Sequence, residues 1–424
     1  MRYWLETLGC PKNQVDSDKL GGRLEADGYV AADDPAAADL VVVNTCAFIE
    51  AARQESIETI LNLAETRRPG ARLAVTGCMA ERYGSELADA LPEVDVVAGF
   101  GMDVTASPVT FRSKSTVPAF DLLNLARPAT PAPWAYVKVA EGCDRKCGFC
   151  AIPSFRGRQR SRTRDAVLTE VESLDVREVV LVAQDLASYG RDLDTGKDIQ
   201  RLVRSVAERV DRVRLLYLYP SELSDGLIDV IGETGCPYFD LSLQHVSRPH
   251  LRRMRRWGDG ERFLERIERI RHRWPEAAFR SSFIVGYPGE TEEDQDRLLA
   301  FLADARLDWA GFFPFSEEPG TYAATLEDRV PAGLVAERLA ECSELQDGIT
   351  ATRRSDLVGA TTTVLVDEPG VARSHREAPE IDGIIRVPEQ LRAGTWVDVT
   401  ITAAEGPDLD AQPVPAGARD GRMA

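Results

Sequence analysis

Three cysteines fall in the string Gly142-Cys143-Asp144-Arg145-Lys146-Cys147-Gly148-Phe149-Cys150, so one short loop offers three thiolates to one metal centre. A structural zinc site takes four protein ligands, and no histidine stands near this loop. A closed zinc site would have to borrow a ligand from elsewhere in the chain. A 4Fe-4S cube held by three thiolates suits the set better and leaves one iron open to chelate a small molecule. Buried or redox-idle thiols are the plainer alternative, and the tight spacing and polar flanks speak against it.

A second trio is spread along the first hundred residues. The apolar runs Tyr3 to Leu8, Leu40 to Val43 and Leu73 to Val75 read as strands with amphipathic helices between them, a small parallel α/β sheet. Each run leads into a cysteine: Leu8-Gly9-Cys10, Asn44-Thr45-Cys46 and Thr76-Gly77-Cys78. Open parallel sheets bind ligands outside the carboxyl ends of their strands, so Cys10, Cys46 and Cys78 can converge on a second cluster although distant in sequence. The competing reading is three thiols buried in a sheet core.

These residues need a scaffold, and the remaining pattern supplies one. A Pro-, Ser- and Thr-rich passage from Ser107 to Pro133 reads as a linker. From Trp134 six strand-like runs follow: Ala135 to Val139, Glu178 to Val182, Val213 to Leu218, Phe239 to Leu243, Arg280 to Val285 and Gly311 to Phe315. Helical stretches alternate with them: Thr163 to Leu174, Asp198 to Val210, Glu222 to Ile231, Gly260 to Trp274 and Thr291 to Ala305. Strand-helix alternation implies parallel strands with right-handed crossovers, and six units predict an open partial (β/α)6 barrel with its site at the carboxyl strand ends. The three-cysteine loop follows the first strand, where that architecture needs it. Gln184 to Tyr189, Gln244-His245 and Gly286 to Glu290 fall at equivalent ends. Gln244 and Arg280 are the expected polar contacts to a bound cofactor, arginine being suited to a carboxylate. His245 reads more simply as a hydrogen-bonded core histidine. Short alternating strands from Ser355 to Glu405 predict a small antiparallel β-barrel, and Gly406 to Ala424 reads as a disordered tail. The expected units are thus 1–106, 107–133, 134–354, 355–405 and 406–424.

With 69 acidic and 51 basic side chains among 424 residues, the net charge is -18. Such a balance disfavours broad nonspecific nucleic-acid binding and favours a basic protein partner. No apolar stretch reaches the length of a membrane span and no signal-peptide pattern opens the chain, so the expectation is a cytoplasmic protein without membrane contact. In a reducing compartment the clustered cysteines read as ligands rather than disulfides. Cys236 and Cys342 lie outside every motif and are expected to be structural thiols. Arg156, Arg158, Arg160, Arg162 and Arg164 alternate, so an extended segment would align them on one face, to grip RNA or an acidic side chain or simply to be solvated beside nearby acids. The solvated face is the simpler reading, there and for Arg252, Arg253, Arg255 and Arg256.

The Cys143–Cys150 spacing resembles that of the radical S-adenosylmethionine enzymes. From about Tyr3 to Glu405 the chain resembles the methylthiotransferases of that superfamily, which carry an N-terminal cluster domain, a radical barrel and a C-terminal TRAM domain. The likeness rests on Leu8-Gly9-Cys10-Pro11-Lys12-Asn13, Asn44-Thr45-Cys46, Thr76-Gly77-Cys78, the central loop, Phe283-Ile284-Val285-Gly286-Tyr287-Pro288-Gly289-Glu290-Thr291-Glu292-Glu293, and Gly320-Thr321. It implies two 4Fe-4S clusters, one on Cys143, Cys147 and Cys150 that cleaves S-adenosylmethionine to a 5'-deoxyadenosyl radical, and one on Cys10, Cys46 and Cys78 that holds the sulfur donor. Phe149 is expected near the adenine. Cys10-Pro11-Lys12-Asn13, Ile152-Pro153-Ser154-Phe155-Arg156-Gly157 and Ala378-Pro379-Glu380-Ile381-Asp382-Gly383 resemble the branch whose substrate is an aspartate of a basic small-subunit ribosomal protein. The alternatives are the tRNA-adenosine-modifying branch, which tends to carry Cys-Gln-Met-Asn at the first motif, and a non-catalytic iron-sulfur interaction protein. A low-potential donor such as flavodoxin or ferredoxin is implied, while the sulfur source stays open. Thr163 departs from the family's usual proline.

Overall fold

Leu40-Val41-Val42-Val43 is an unbroken aliphatic run and is buried on both faces, as the middle of a covered parallel sheet requires. In the computed structural model, which describes residues 1–100, 102–105, 122–196 and 198–415, it forms β3 (Leu40–Thr45) of a five-stranded sheet. The sheet order is β2 (Val30–Ala31), β1 (Arg2–Thr7), β3, β4 (Arg72–Gly77) and β5 (Val96–Val97), all parallel. The helices α1 (Pro11–Ala26) and α2 (Glu50–Thr66) follow β1 and β3. The two-residue edge strands were not expected, being too short to show a period.

The central strands are β6 (Trp134–Lys138), β9 (Glu178–Val182), β10 (Arg212–Leu215), β11 (Tyr238–Gln244), β12 (Ala278–Val285) and β13 (Trp309–Pro314), with the clasp β7 (Ala140–Glu141) and β8 (Arg160–Ser161) between the first two. β6, β9 and β10 pair in parallel, as do β11, β12 and β13, and a single parallel bridge from Leu218 to Leu241 joins the two halves. Six strands in chain order make the expected open barrel. Thr163 earns its place as the N-cap of helix Arg164–Leu174, its hydroxyl accepting the Ala166 N–H at 3.3 Å.

The C-terminal barrel closes in the order β14 (Thr361–Glu368), β15 (Val371–Arg373), β16 (Ile385–Arg386), β18 (Asp408–Pro413) and β17 (Trp396–Glu405). Two expectations are corrected. The barrel does not end at Glu405: β18 lies within the supposed tail, turned back on β17 through Gly406 and Pro407, with Leu409 and Ala411 buried. Nor is it wholly antiparallel, because β16 and β18 run parallel. Residues 416–424 of that tail, and 107–121 of the linker, lie outside the described residues. The rest of the linker is fastened down, with Arg127 paired to Asp18 at 2.7 Å and Glu170 at 3.2 Å.

Buried charge joins this barrel to the central one. Glu178, at the start of β9, meets Arg214 at 2.8 Å and Arg373 at 3.0 Å, and Glu377 pairs with Arg354. Burial pushes both carboxyls up, but those arginines outweigh it and hold each at about 2.

Candidate active site

The motif glycines explain how three distant cysteines come together. Gly9 has φ +96°, and a Cβ there would lie 2.9 Å from the Cys46 Cβ; Gly77 has φ +90°, and a Cβ would lie 2.3 Å from the Asn44 Oδ1. Only glycine fits such backbone at such close approach. Asn13 fastens the strand ends by donating to the carbonyls of Leu8 at 2.8 Å and Thr45 at 3.1 Å. Cys10, Cys46 and Cys78 thus stand side by side after β1, β3 and β4.

On the central barrel, the β7–β8 clasp pins both ends of the cysteine loop. Cys143 N–H donates to the Gly157 carbonyl at 3.1 Å, Gly148 N–H to the Met254 carbonyl at 2.8 Å, and Ala323 N–H to the Gly148 carbonyl at 2.7 Å. The Cys143 sulfur accepts the Arg145 N–H at 3.4 Å and the Cys147 sulfur accepts from Arg256 at 3.5 Å. Both trios line one cavity of about 540 Å³, together with Phe149, Gln244 and Arg280.

The thiols differ electrically. Burial would raise Cys10, yet Lys12 and Arg156, helped by the N–H groups of Asn13 and Lys12, hold it below the ordinary thiol value. Burial pushes Cys46 and Cys150 up to about 12 and Cys143 to about 11, with neighbouring thiols adding to the rise. Ligation would expel those protons. Among the described residues each set offers three thiols and no fourth protein ligand, which suits a cube that takes each thiolate on a separate iron better than a closed zinc site.

The remaining expectations sort by contacts. Gln244, with φ +73° at an irregularity of β11, faces the cavity. Arg280 also lines it but is engaged by Asp240 at 3.1 Å and Asp382 at 3.5 Å, so its charge is already matched and a cofactor carboxylate would have to displace them. His245 is fully buried, accepts the Ser247 N–H at 3.0 Å and is pushed down to about 3 by burial, a neutral core histidine. Cys236 and Cys342 are buried away from both trios.

The arginine alternation is corrected. Arg156 ends helix Ile152–Arg156, and only Arg160 and Ser161 are strand, so no common face forms. Arg158 is exposed, while Arg162 is buried on Glu170 at 2.6 Å. Arg156 is the residue sequence reasoning missed: buried between domains, it donates to Glu141 at 2.9 Å, to Asn13 Oδ1 at 2.6 Å and to the Cys78 sulfur at 3.0 Å. Its place six residues after the last loop cysteine was the available signal.

A partial barrel carrying three thiols on its first strand-end loop, facing a second trio across one cavity, defines a radical S-adenosylmethionine enzyme of the methylthiotransferase class. Three family models match in order: Uncharacterized protein family UPF0004 over residues 2–99, Radical SAM superfamily over 137–302 and TRAM domain over 358–414. The ribosomal protein uS12 methylthiotransferase RimO of Streptomyces coelicolor is 42% identical over 473 residues, covering 97% of this chain and 96% of the relative. Its namesake from Saccharopolyspora erythraea is 42% identical over 465 residues, covering 98% and 96%. The chain belongs to this RimO family. Among solved structures, the methyltransferase TsrM of Kitasatospora setae, with cobalamin and a [4Fe-4S] cluster bound, shares the fold at TM-score 0.52 and 15% identity, over 93% of this chain and 83% of that one.

Proposed function

We propose that this chain adds a methylthio group to the β-carbon of an aspartate in ribosomal protein uS12. The observation that supports the reading is the shared cavity, which both cysteine trios line, so that one substrate could meet both. Cys143, Cys147 and Cys150 would hold one 4Fe-4S cluster, and Cys10, Cys46 and Cys78 the other. Loaded, they supply one-electron cleavage of S-adenosylmethionine and delivery of sulfur to an unactivated carbon.

The chain's own residues do the positioning. Phe149 and Gln244 are the side chains assigned to the cofactor, at the loop and at the β11 end. Arg145 is held over Tyr219 at 4.0 Å and tied to Asp185 at 2.6 Å, which stiffens the loop between Cys143 and Cys147. Arg280 lines the same cavity, paired with Asp240 and Asp382, and would contact a cofactor carboxylate only by exchanging one of them. A reductant of flavodoxin or ferredoxin type and a cytoplasmic setting go with this reading; no helix among the described residues is long and apolar enough to cross a membrane.

The test is anaerobic reconstitution with iron and sulfide, then S-adenosylmethionine, dithionite and either uS12 or tRNA, with product mass as readout. A methylthio gain on the aspartate is expected; a gain on tRNA alone would overturn the substrate assignment. Cys147→Ala is expected to abolish 5'-deoxyadenosine release. Cys46→Ala is expected to release it without sulfur insertion, and intact methylthiolation in that variant would refute the second cluster.

A further inference from the structure

Five basic side chains line the cavity: Lys12, Arg145, Arg156, Arg256 and Arg280. Four are engaged. Arg145 meets Asp185 at 2.6 Å, Arg156 meets Glu141 at 2.9 Å and Arg280 meets Asp240 at 3.1 Å, while Arg256 donates to the Ser242 carbonyl and the Cys147 sulfur. Lys12 differs. Its side chain has no hydrogen bond or ion pair among the described residues, the residue is only 9% exposed, and its ammonium rests 3.3 Å from the Tyr217 ring centroid.

The acids of the cavity are matched as well. Asp185 is taken by Arg145, Asp240 by Arg280 and the Tyr217 N–H at 2.9 Å, and Glu318 by Arg53 at 2.7 Å and Arg82 at 2.6 Å. Among the described residues, Lys12 is therefore the lining cation whose side chain has no hydrogen-bond or ion-pair partner. Burial disfavours this ammonium, and Cys10, Asp240 and Cys78 nearby offset only part of that, so an anion in hydrogen-bond contact would complete the site. The platform is fixed in advance: Tyr217 holds φ +65° and is anchored through its N–H to Asp240. Lys12 also stands in the first turn of α1, two residues after Cys10, where helix amides favour negative charge.

We propose that Lys12 receives the side-chain carboxylate of the target aspartate, and so selects an acidic side chain over a neutral nucleobase. This rests on the function proposed above. The carboxylate carbon is bonded to the β-carbon, so one ion pair at Lys12 holds the reacting C–H group within a bond of a fixed point, beside the trio that begins at Cys10. Tyr217 covers one side of the ammonium and leaves its remaining donors to the substrate. A nucleobase offers no anion there, and its entry would leave the ammonium desolvated and unpaired.

The test measures binding of labelled intact uS12, and of its form with the target aspartate changed to asparagine, to the reconstituted enzyme and to its Lys12→Met and Lys12→Arg variants. Iron content reports whether each variant is loaded. A charge-assisted pair predicts that the native enzyme binds the aspartate form roughly 10- to 100-fold more tightly than the asparagine form, that Lys12→Met erases the difference, and that Lys12→Arg restores most of it. Equal binding of the two forms by the native enzyme overturns the proposal whatever the variants do. So does a difference that persists in Lys12→Met. Failure of the native enzyme to methylthiolate uS12 at all would overturn the proposed function instead.

Discussion

Replacing Arg156 with glutamine is the most informative single perturbation of the domain junction. The guanidinium and Lys138 together face Asp16 and Glu141, two buried cations against two buried carboxylates. Glutamine is too short to reach them and carries no charge, so Lys138 would face both acids alone. Removing one partner of a buried ion pair costs about 3–5 kcal/mol, and because Lys138 stays in place the lower end, about 3 kcal/mol, is expected. Arg156→Lys returns the charge but cannot span Glu141, Asn13 and Cys78 at once, so a residual loss of about 1 kcal/mol is expected. Amide hydrogen exchange of the apo-protein resolves the effect locally, without assuming that a multidomain chain unfolds in one step. At about 1.4 kcal/mol per decade, amides in α1 should exchange roughly 100-fold faster in Arg156→Gln and several-fold faster in Arg156→Lys. Exchange within about threefold of the native rate in Arg156→Gln would refute the reasoning, since the buried acids would then be satisfied without the guanidinium.

Gly77→Ala should cost the N-terminal sheet about 2 to 4 kcal/mol and reduce iron uptake there, because left-handed backbone and close packing oppose the methyl together. Gly70→Ala is the control: φ is +85° with nothing within 4 Å of the added carbon, so its thermal shift should be clearly smaller, and equal shifts would contradict the packing argument. Acid should loosen the C-terminal barrel from the central one. Glu178 and Glu377 sit at about 2 when folded against an ordinary 4.5, so their stabilisation is present above pH 4.5 and lost as pH falls toward 2. Each contributes up to about 3 kcal/mol. Fluorescence of Trp309, which bonds the Arg376 carbonyl at 2.8 Å, should report the loss in apo-protein, and a signal flat from pH 5 to about 2.5 would count against it.

What could be read from the chain followed from how local its physical cause is. β3 and β9 hold apolar, valine-rich runs, and the cysteines after β1 and β4 follow glycines that close packing demands, so the first hundred residues and the barrel strands were legible. Arg280 was legible as a polar group on a barrel strand and illegible as a spent one, because Asp240 and Asp382 reach it from another strand and another domain. The Arg156–Arg164 alternation misled because period two implies a shared face only in extended backbone, and a helix ending at Arg156 breaks it. β18 was hidden by composition: Asp408 to Pro413 holds little β-branched character and becomes a strand by completing a ring whose other members are formed elsewhere. Lys12 is the sharpest case. Its motif position is visible in sequence, but its lack of a partner is a property of the whole cavity, established only when every neighbouring charge has been matched to another. Motifs therefore marked the two cysteine trios here, and the pairing of charges around them singles out Lys12 as the group proposed to meet the substrate.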